Sequence, residues 1–219
     1  ISPVLANIYM HHVLVLWYKK YFEKQGIGES FLVVYADDYL AGFEEKSEAE
    51  RYYEEMQKRL GKYGLEIETS KSRLLEFGRY AKERRKRRGK GKPETFDFLG
   101  FTFYCGETQA GKFCVKAKTS GKRMRTKLKE TEEWLKKNRT KPLKELMPAL
   151  NRKLTGHYRY YGITYNIHAL VKYHYYITKM LYRWMNRRSQ KRSYNWEGFK
   201  QMLEYYPLAY PKRYYNLYA

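Results

Sequence analysis

Asp37 and Asp38 stand side by side in Val33-Val34-Tyr35-Ala36-Asp37-Asp38-Tyr39-Leu40, and Asp97 is the only other aspartate among the 219 residues. Adjacent carboxylates suit hard, oxygen-seeking Mg²⁺ when the ion must also hold substrate phosphates. In a two-metal site one ion activates the attacking oxygen and the other stabilises the leaving oxygen, with the ions about 3.5 to 4 Å apart. Two acidic residues in a turn are also common turn formers and solubilising charge. The setting favours the metal: apolar strands on both sides bring two like charges close to a buried sheet, and a cation relieves that burden. Other metal chemistry finds little support. His11, His12, His157, His168 and His174 lack cysteine partners, and Cys105 and Cys114 lack the paired spacing of a zinc site. Two cysteines are also too few for a disulfide framework, which suits a reduced, intracellular setting.

The elements that must position the carboxylates follow from periodicity. Phe31 to Tyr35 is apolar on both faces and β-branched at Val33 and Val34, as in a strand buried on both sides. Tyr39 to Phe43 reads as its partner, so Ala36-Asp37-Asp38 becomes a tight turn at a hairpin tip. Before it, Val4 to Trp17 is a mostly apolar helix starting after Ser2-Pro3. After it, Ser47 to Glu50 forms a capping-box pattern, and Ala49, Tyr53, Met56, Leu60 and Tyr63 recur at helical spacing up to Gly64. Leu65 to Ile67 and Leu74 to Phe77 are expected as short strands around Lys71, and 82–92 as an exposed basic loop. Phe96 to Cys105 and Lys112 to Lys118 are expected as a second hairpin. From Thr119 onward the spacing of Met124, Leu128, Thr131 and Leu135, of Leu143 to Leu154, and of Ile167 to Trp184 is helical. The fold class is therefore α+β, an antiparallel sheet with helices over 1–118 followed by an all-α bundle over 119–219, with the boundary near 118 to 122.

Charge adds a partner. The chain carries a net +22, yet residues 1 to 78 hold 10 Lys and Arg against 13 Asp and Glu, leaving 35 against 10 in the remainder. An acidic first third and a strongly basic remainder point to a polyanion docked on the second part. There the cations interleave with aromatics, as in Tyr158-Arg159-Tyr160-Tyr161 and Tyr173-His174-Tyr175-Tyr176, which sets phosphate contacts beside stacking platforms. Tyrosines in register with Leu150, Leu154 and Ile177 are expected in the core instead. No apolar run is long enough to span a bilayer. Ile1-Ser2-Pro3 lacks an initiator Met and a basic leader, so the chain is expected to begin inside a longer protein.

An ordered set of motifs resembles the group II intron reverse transcriptases and maturases. Tyr35-Ala36-Asp37-Asp38 resembles their catalytic hairpin, and Ile1-Ser2-Pro3-Val4-Leu5-Ala6-Asn7-Ile8 the palm segment before it. Gly64-Leu65-Glu66-Ile67 with Lys71 resembles the next palm motif, and Phe96-Asp97-Phe98-Leu99-Gly100-Phe101 the primer-gripping hairpin. Leu150 to Gly162 resembles the signature of the maturase, or X, region that serves as thumb. The resemblance implies a partial palm followed by a thumb. It implies Asp37 as ligand of two Mg²⁺ ions with Asp38 supporting, Tyr35, Ala36 and Lys71 near the incoming dNTP, and Phe98, Leu99 and Gly100 on the primer end. Asp97 then lies on the primer-grip strand as a cap or surface charge and is no third ligand. The implied RNA contacts are Arg84, Arg85, Arg87 and Arg88 with Arg152, Lys153, His157 and Arg159.

The implied activity is RNA-directed DNA synthesis, in which the primer 3′ oxygen attacks the α-phosphate of a dNTP and pyrophosphate leaves. The implied partners are intron RNA, whose splicing the thumb assists, and an RNA template with its DNA primer, in bacterial cytoplasm at the nucleoid; a homodimer stays open. The palm of this family needs a further carboxylate from an earlier strand and the fingers that close over the nucleotide. No aspartate occurs between residues 1 and 36. The expectation is that the isolated chain does not polymerise, and a non-catalytic RNA-binding maturase fragment is the alternative. A retron-type, diversity-generating or CRISPR-associated reverse transcriptase fits less well, because of the maturase-like stretch.

Overall fold

The computed structural model describes residues 2–188 and 193–218. The chain divides into two compact units, residues 1–76 and 77–219. Among the described residues no helix is long and apolar enough to cross a membrane.

The first unit opens with α1 (Ser2–Met10), which runs on through His11–Val15, the short α2 (Leu16–Tyr18) and Lys19–Glu23, both flanking stretches taking the wider π-helical turn. Val13, Leu14, Trp17, Tyr18 and Phe22 recur every four or so residues and are buried along one side. Against them packs a hairpin of β1 (Ser30–Tyr35) and β2 (Asp38–Phe43), antiparallel from Ser30 opposite Phe43 to Tyr35 opposite Asp38. The helix α3 (Lys46–Lys62) closes this core.

Three expectations change here. Strand β1 buries one face only: Leu32 and Val34 join the core, whereas Phe31, Val33 and Tyr35 are exposed. An alternation in which both faces are apolar hides which one is solvated. Helix α3 starts at Lys46 with Glu45 at its N-cap, so Ser47 caps nothing. Its buried stripe is Glu48, Tyr52, Met56 and Leu60, one residue off the expected Ala49 and Tyr53. The adjacent tyrosines offer two equivalent stripes, and the rings of Trp17, Tyr18, Phe22 and Phe43, all within about 6 Å of Tyr52, select that one. Leu65 to Ile67 and Leu74 to Phe77 form no strands; Leu65 and Ile67 lie against the core without a ladder.

The second unit begins with α4 (Ala81–Arg87), which replaces the expected basic loop. Alternate charges do not forbid a helix, since Lys and Arg are good helix formers, and Gly89, left-handed at φ +65°, follows its last turn. Next comes a meander of β3 (Phe96–Phe98), β4 (Phe101–Glu107) and β5 (Phe113–Thr119). The expected single strand from Phe96 to Cys105 is thus cut at Leu99-Gly100, and Gly106 lies within β4.

Helices α5 (Gly121–Asn138), α6 (Leu143–Tyr161), α7 (Ile167–Met185) and α8 (Trp196–Tyr205) complete the unit. Leu135, Leu150, Leu154, Tyr158, Leu170, Ile177, Leu181 and Phe199 are almost fully buried among them. The break expected near 118 to 122 falls inside this unit. Ser120 caps α5 by accepting the Arg123 amide at 3.3 Å, and the Thr119 amide donates to Asn166 Oδ1 at 2.8 Å.

Candidate functional site

The two aspartates occupy the tip of the β1–β2 hairpin. Tyr35 opposes Asp38 at the last rung, which leaves Ala36 and Asp37 as a two-residue turn. Ala36 is left-handed, φ +52°, a conformation that costs an L-residue about 1–2 kcal/mol. Tyr35, Ala36, Asp37 and Asp38 are all exposed, so both carboxylates face solvent on a short, fixed turn. Among the described residues, no three His, Cys, Asp or Glu side chains come together as a complete ligand set.

Lys71 is exposed in a turn of the same unit, its amide donating to the Glu68 carbonyl at 3.0 Å. The Ser70 hydroxyl and amide hold the Glu68 carboxyl below its usual range, with Lys71 adding to the effect. The neighbours of Asp38 and Lys71 are joined: the Tyr39 phenol, raised by burial, is pulled back down in part by a hydrogen bond with Ser72.

In the second unit the expected primer-gripping residues form another two-residue turn. Phe98 opposes Phe101, and Leu99 and Gly100 between them have φ +49° and +80°. Left-handed geometry at both positions is that of a type I′ turn, matched to the twist of the strands. Glycine suits the second position, where φ is +80° and an added Cβ would lie 2.6 Å from Tyr161 Oη, so that ring would have to move. The Tyr160 hydroxyl donates to the Leu99 carbonyl at 2.9 Å, and the Ser120 amide donates to the Gly100 carbonyl at 2.9 Å. The rings of Tyr160 and Tyr161 pack on Phe101 at 5.7 and 5.0 Å. These tyrosines, expected as stacking platforms, brace the turn. Asp97 is exposed and accepts a hydrogen bond from the Thr102 hydroxyl opposite it.

The expected RNA-contacting cations divide by position. Arg84, Arg87 and Arg88 are exposed around α4. Arg85 is folded back, its Nε donating to the Gly91 carbonyl at 3.3 Å and its guanidinium 3.6 Å from Glu94. On α6, Pro148, Arg152, Thr155, Gly156 and Arg159 share one face and line a shallow groove with Asn151. Lys153 is exposed on the same helix but is not part of the groove lining, its ammonium lying 5.3 Å from the Trp134 ring.

His157 belongs elsewhere. It is buried in the helical core, stacked on Tyr173 at 4.1 Å, with no hydrogen-bond partner for either ring nitrogen among the described residues. At i+3 from Leu154 and i+7 from Leu150 it is in register with the apolar stripe. Burial, and secondarily Lys127, push its imidazole down to about 4. The unfolded chain takes up that proton near pH 6.5. The stability conferred by the neutral ring is therefore complete above pH 6.5 and is lost as the pH falls toward 4. A loss of about 3 kcal/mol is expected between pH 7 and 4, measurable as urea midpoints across that range. His157→Phe should remove that component.

A residue that the spacing did not single out is Asn166. Its place just before α7 suggests a helix cap, but its side chain caps nothing there and instead bonds Thr119 and Tyr161 in the interior.

Residues 1–103 match the family model described as reverse transcriptase (RNA-dependent DNA polymerase). Residues 121–202 match the one described as the group II intron, maturase-specific domain. A comparison with curated proteins gives no match.

Proposed function

Because the chain belongs to the group II intron reverse transcriptases and maturases, we propose that Asp37 and Asp38 hold the Mg²⁺ of RNA-directed DNA synthesis while α6 and α4 hold RNA. The observation that carries this is the pair of adjacent, exposed carboxylates on a two-residue turn. The donor set fits the ion, which takes oxygen ligands and is usually held by one or two carboxylates together with waters and substrate phosphates. When bound, it supplies activation of the attacking oxygen and stabilisation of the charge that develops on the phosphate.

The protein's own groups do the rest. Tyr35 and Ala36 border the nucleotide. Lys71, solvent-facing and joined through Ser72 to Tyr39, neutralises phosphate charge or protonates the departing pyrophosphate. Phe98, Leu99 and Gly100 press on the primer end, whose 3′ oxygen attacks the α-phosphate as the bond to pyrophosphate breaks. A second reading keeps the RNA-binding surface without the chemistry, favoured by the basic groove of α6; RNA binding with no primer extension would select it.

The RNA surface is the α6 groove with Arg152, Lys153 and Arg159, joined by Arg84, Arg87 and Arg88; Arg85 and His157 are excluded by their burial and partners. Removing Arg152 and Arg159 together should weaken binding of structured intron RNA and flatten the dependence of log affinity on log salt by about one per charge. An unchanged slope in a salt titration would place the RNA on another surface.

A further inference from the structure

On the reading that the second unit binds RNA through α6, we propose a second phosphate-binding site on the same unit: the cations gathered around Trp184, where α5 and α7 both end, hold RNA backbone at a distance from the primer grip. Three guanidinium groups converge there on one ring. Arg139, just past the end of α5, lies 5.6 Å from the Trp184 ring centre, and Arg183 and Arg187 lie at 5.6 and 5.4 Å. Beside them Lys136, Lys137 and Arg139 line a shallow depression with Glu133 and Thr140.

Like charges held this close repel one another, and the indole face repays only part of that cost. Glu132 pairs with Arg183, and Glu133 borders the depression, so two carboxylates stand against five cations. Capping of helix ends explains some of the arrangement, because cations favour the carbonyls of a C-terminal turn. Arg139 donates from Nε to the Arg187 carbonyl at 2.9 Å and from Nη1 to the Lys136 carbonyl at 2.8 Å. Lys136, Lys137 and Arg187 are exposed and are not accounted for in that way.

The ligand that suits these groups carries several spaced negative charges. The depression is open, as a backbone passing over the surface requires, and the planar guanidinium fork matches phosphate. Between Glu145 and Glu197 the sequence holds no acidic residue, so the positive field from α6 to the end of α7 is uninterrupted along the chain. The primer-grip turn lies at the other end of α5, where the Ser120 amide binds the Gly100 carbonyl. With 18 residues in α5, the two ends are about 27 Å apart, and an RNA that touches both must span that length.

The test replaces Lys136, Lys137 and Arg187 together by Gln, which leaves Arg139 and the Arg183–Glu132 pair in place. Binding of a fluorescent RNA hairpin longer than this span is titrated against salt, beside the Arg152 and Arg159 double variant. A control variant with Lys19, Lys20 and Lys24 of the first unit changed to Gln loses the same net charge. The expected result is a log–log slope flattened by about two to three and an affinity lowered roughly tenfold or more, with the control slope unchanged. Because all the replaced side chains are exposed, urea midpoints should stay at the wild-type value. A slope that survives in the cluster variant but flattens in the α6 variant overturns the second site and leaves the α6 surface standing. A slope unchanged in both overturns the two together. A control that flattens the slope as much as the cluster variant also overturns the site, since net charge alone would then account for the loss.

Discussion

Asp37→Asn is expected to lower nucleotide incorporation by on the order of 10³-fold or more relative to the unsubstituted protein in the same primer-extension assay. The substitution keeps the shape of the side chain and exchanges a charged oxygen donor for an amide, at a residue exposed on the hairpin tip. Stability should therefore shift by no more than about 0.5 kcal/mol, as for other surface changes. Affinity for intron RNA should not fall, because the cations proposed to bind it lie in residues 77–219, the other compact unit. The combination is what makes the experiment decisive: a protein that folds and binds RNA normally yet fails to extend a primer. Asp38→Asn is expected in the same class with a smaller loss, in keeping with a supporting position. Primer extension at saturating Mg²⁺ measures both, and wild-type rates for Asp37→Asn would sink the catalytic assignment.

The parts of the fold that could be read in one dimension are those fixed by local rules. A short turn between apolar runs is legible without knowledge of what packs beneath, so the expectation of both aspartates at the tip holds, although the turn is Ala36-Asp37 alone and Asp38 opens β2 rather than belonging to a three-residue turn. The stripes of α6 and α7 likewise follow from spacing, and Leu150, Leu154, Ile177 and Leu181 are buried as that spacing demands. What escaped was decided by contacts distant in sequence. Tyr52 rather than Tyr53 faces inward because aromatics from the first helix surround it. Tyr160 serves the Leu99 turn from 61 residues away. The resemblance implies His157 as an RNA contact, whereas its register with Leu150 and Leu154 puts it in the core.

Asn166 shows most clearly what spacing cannot reveal, and its replacement by alanine is expected to cost about 2–4 kcal/mol. The residue is fully buried, and its amide group spends its bonds on two other elements. Oδ1 accepts from the Thr119 amide at 2.8 Å, and Nδ2 donates to Thr119 Oγ1 at 2.9 Å and to the Tyr161 carbonyl at 2.8 Å. Thr119 ends β5 and Tyr161 ends α6, so one side chain ties the sheet to the bundle at the point where the change of periodicity in the sequence suggests a boundary. Alanine would strand the Thr119 amide in the interior; the Tyr161 carbonyl would keep only the Ile163 amide at 2.9 Å. Asn166→Asp separates hydrogen bonding from volume. A carboxylate can still accept from the Thr119 amide but cannot donate to the Tyr161 carbonyl, and its burial as an anion adds a desolvation cost. At neutral pH it should therefore be at least as destabilising as alanine, with part of the loss recovered on acidification as the carboxyl regains a proton to donate. The His157 component, which runs the other way with pH, is removed by measuring both variants in the His157→Phe background. Urea midpoints at pH 5 and 7.5 would then show how much this amide adds to the contacts that Tyr160 and Tyr161 already make between the bundle and the sheet, and a cost near zero for alanine would mean that it adds nothing.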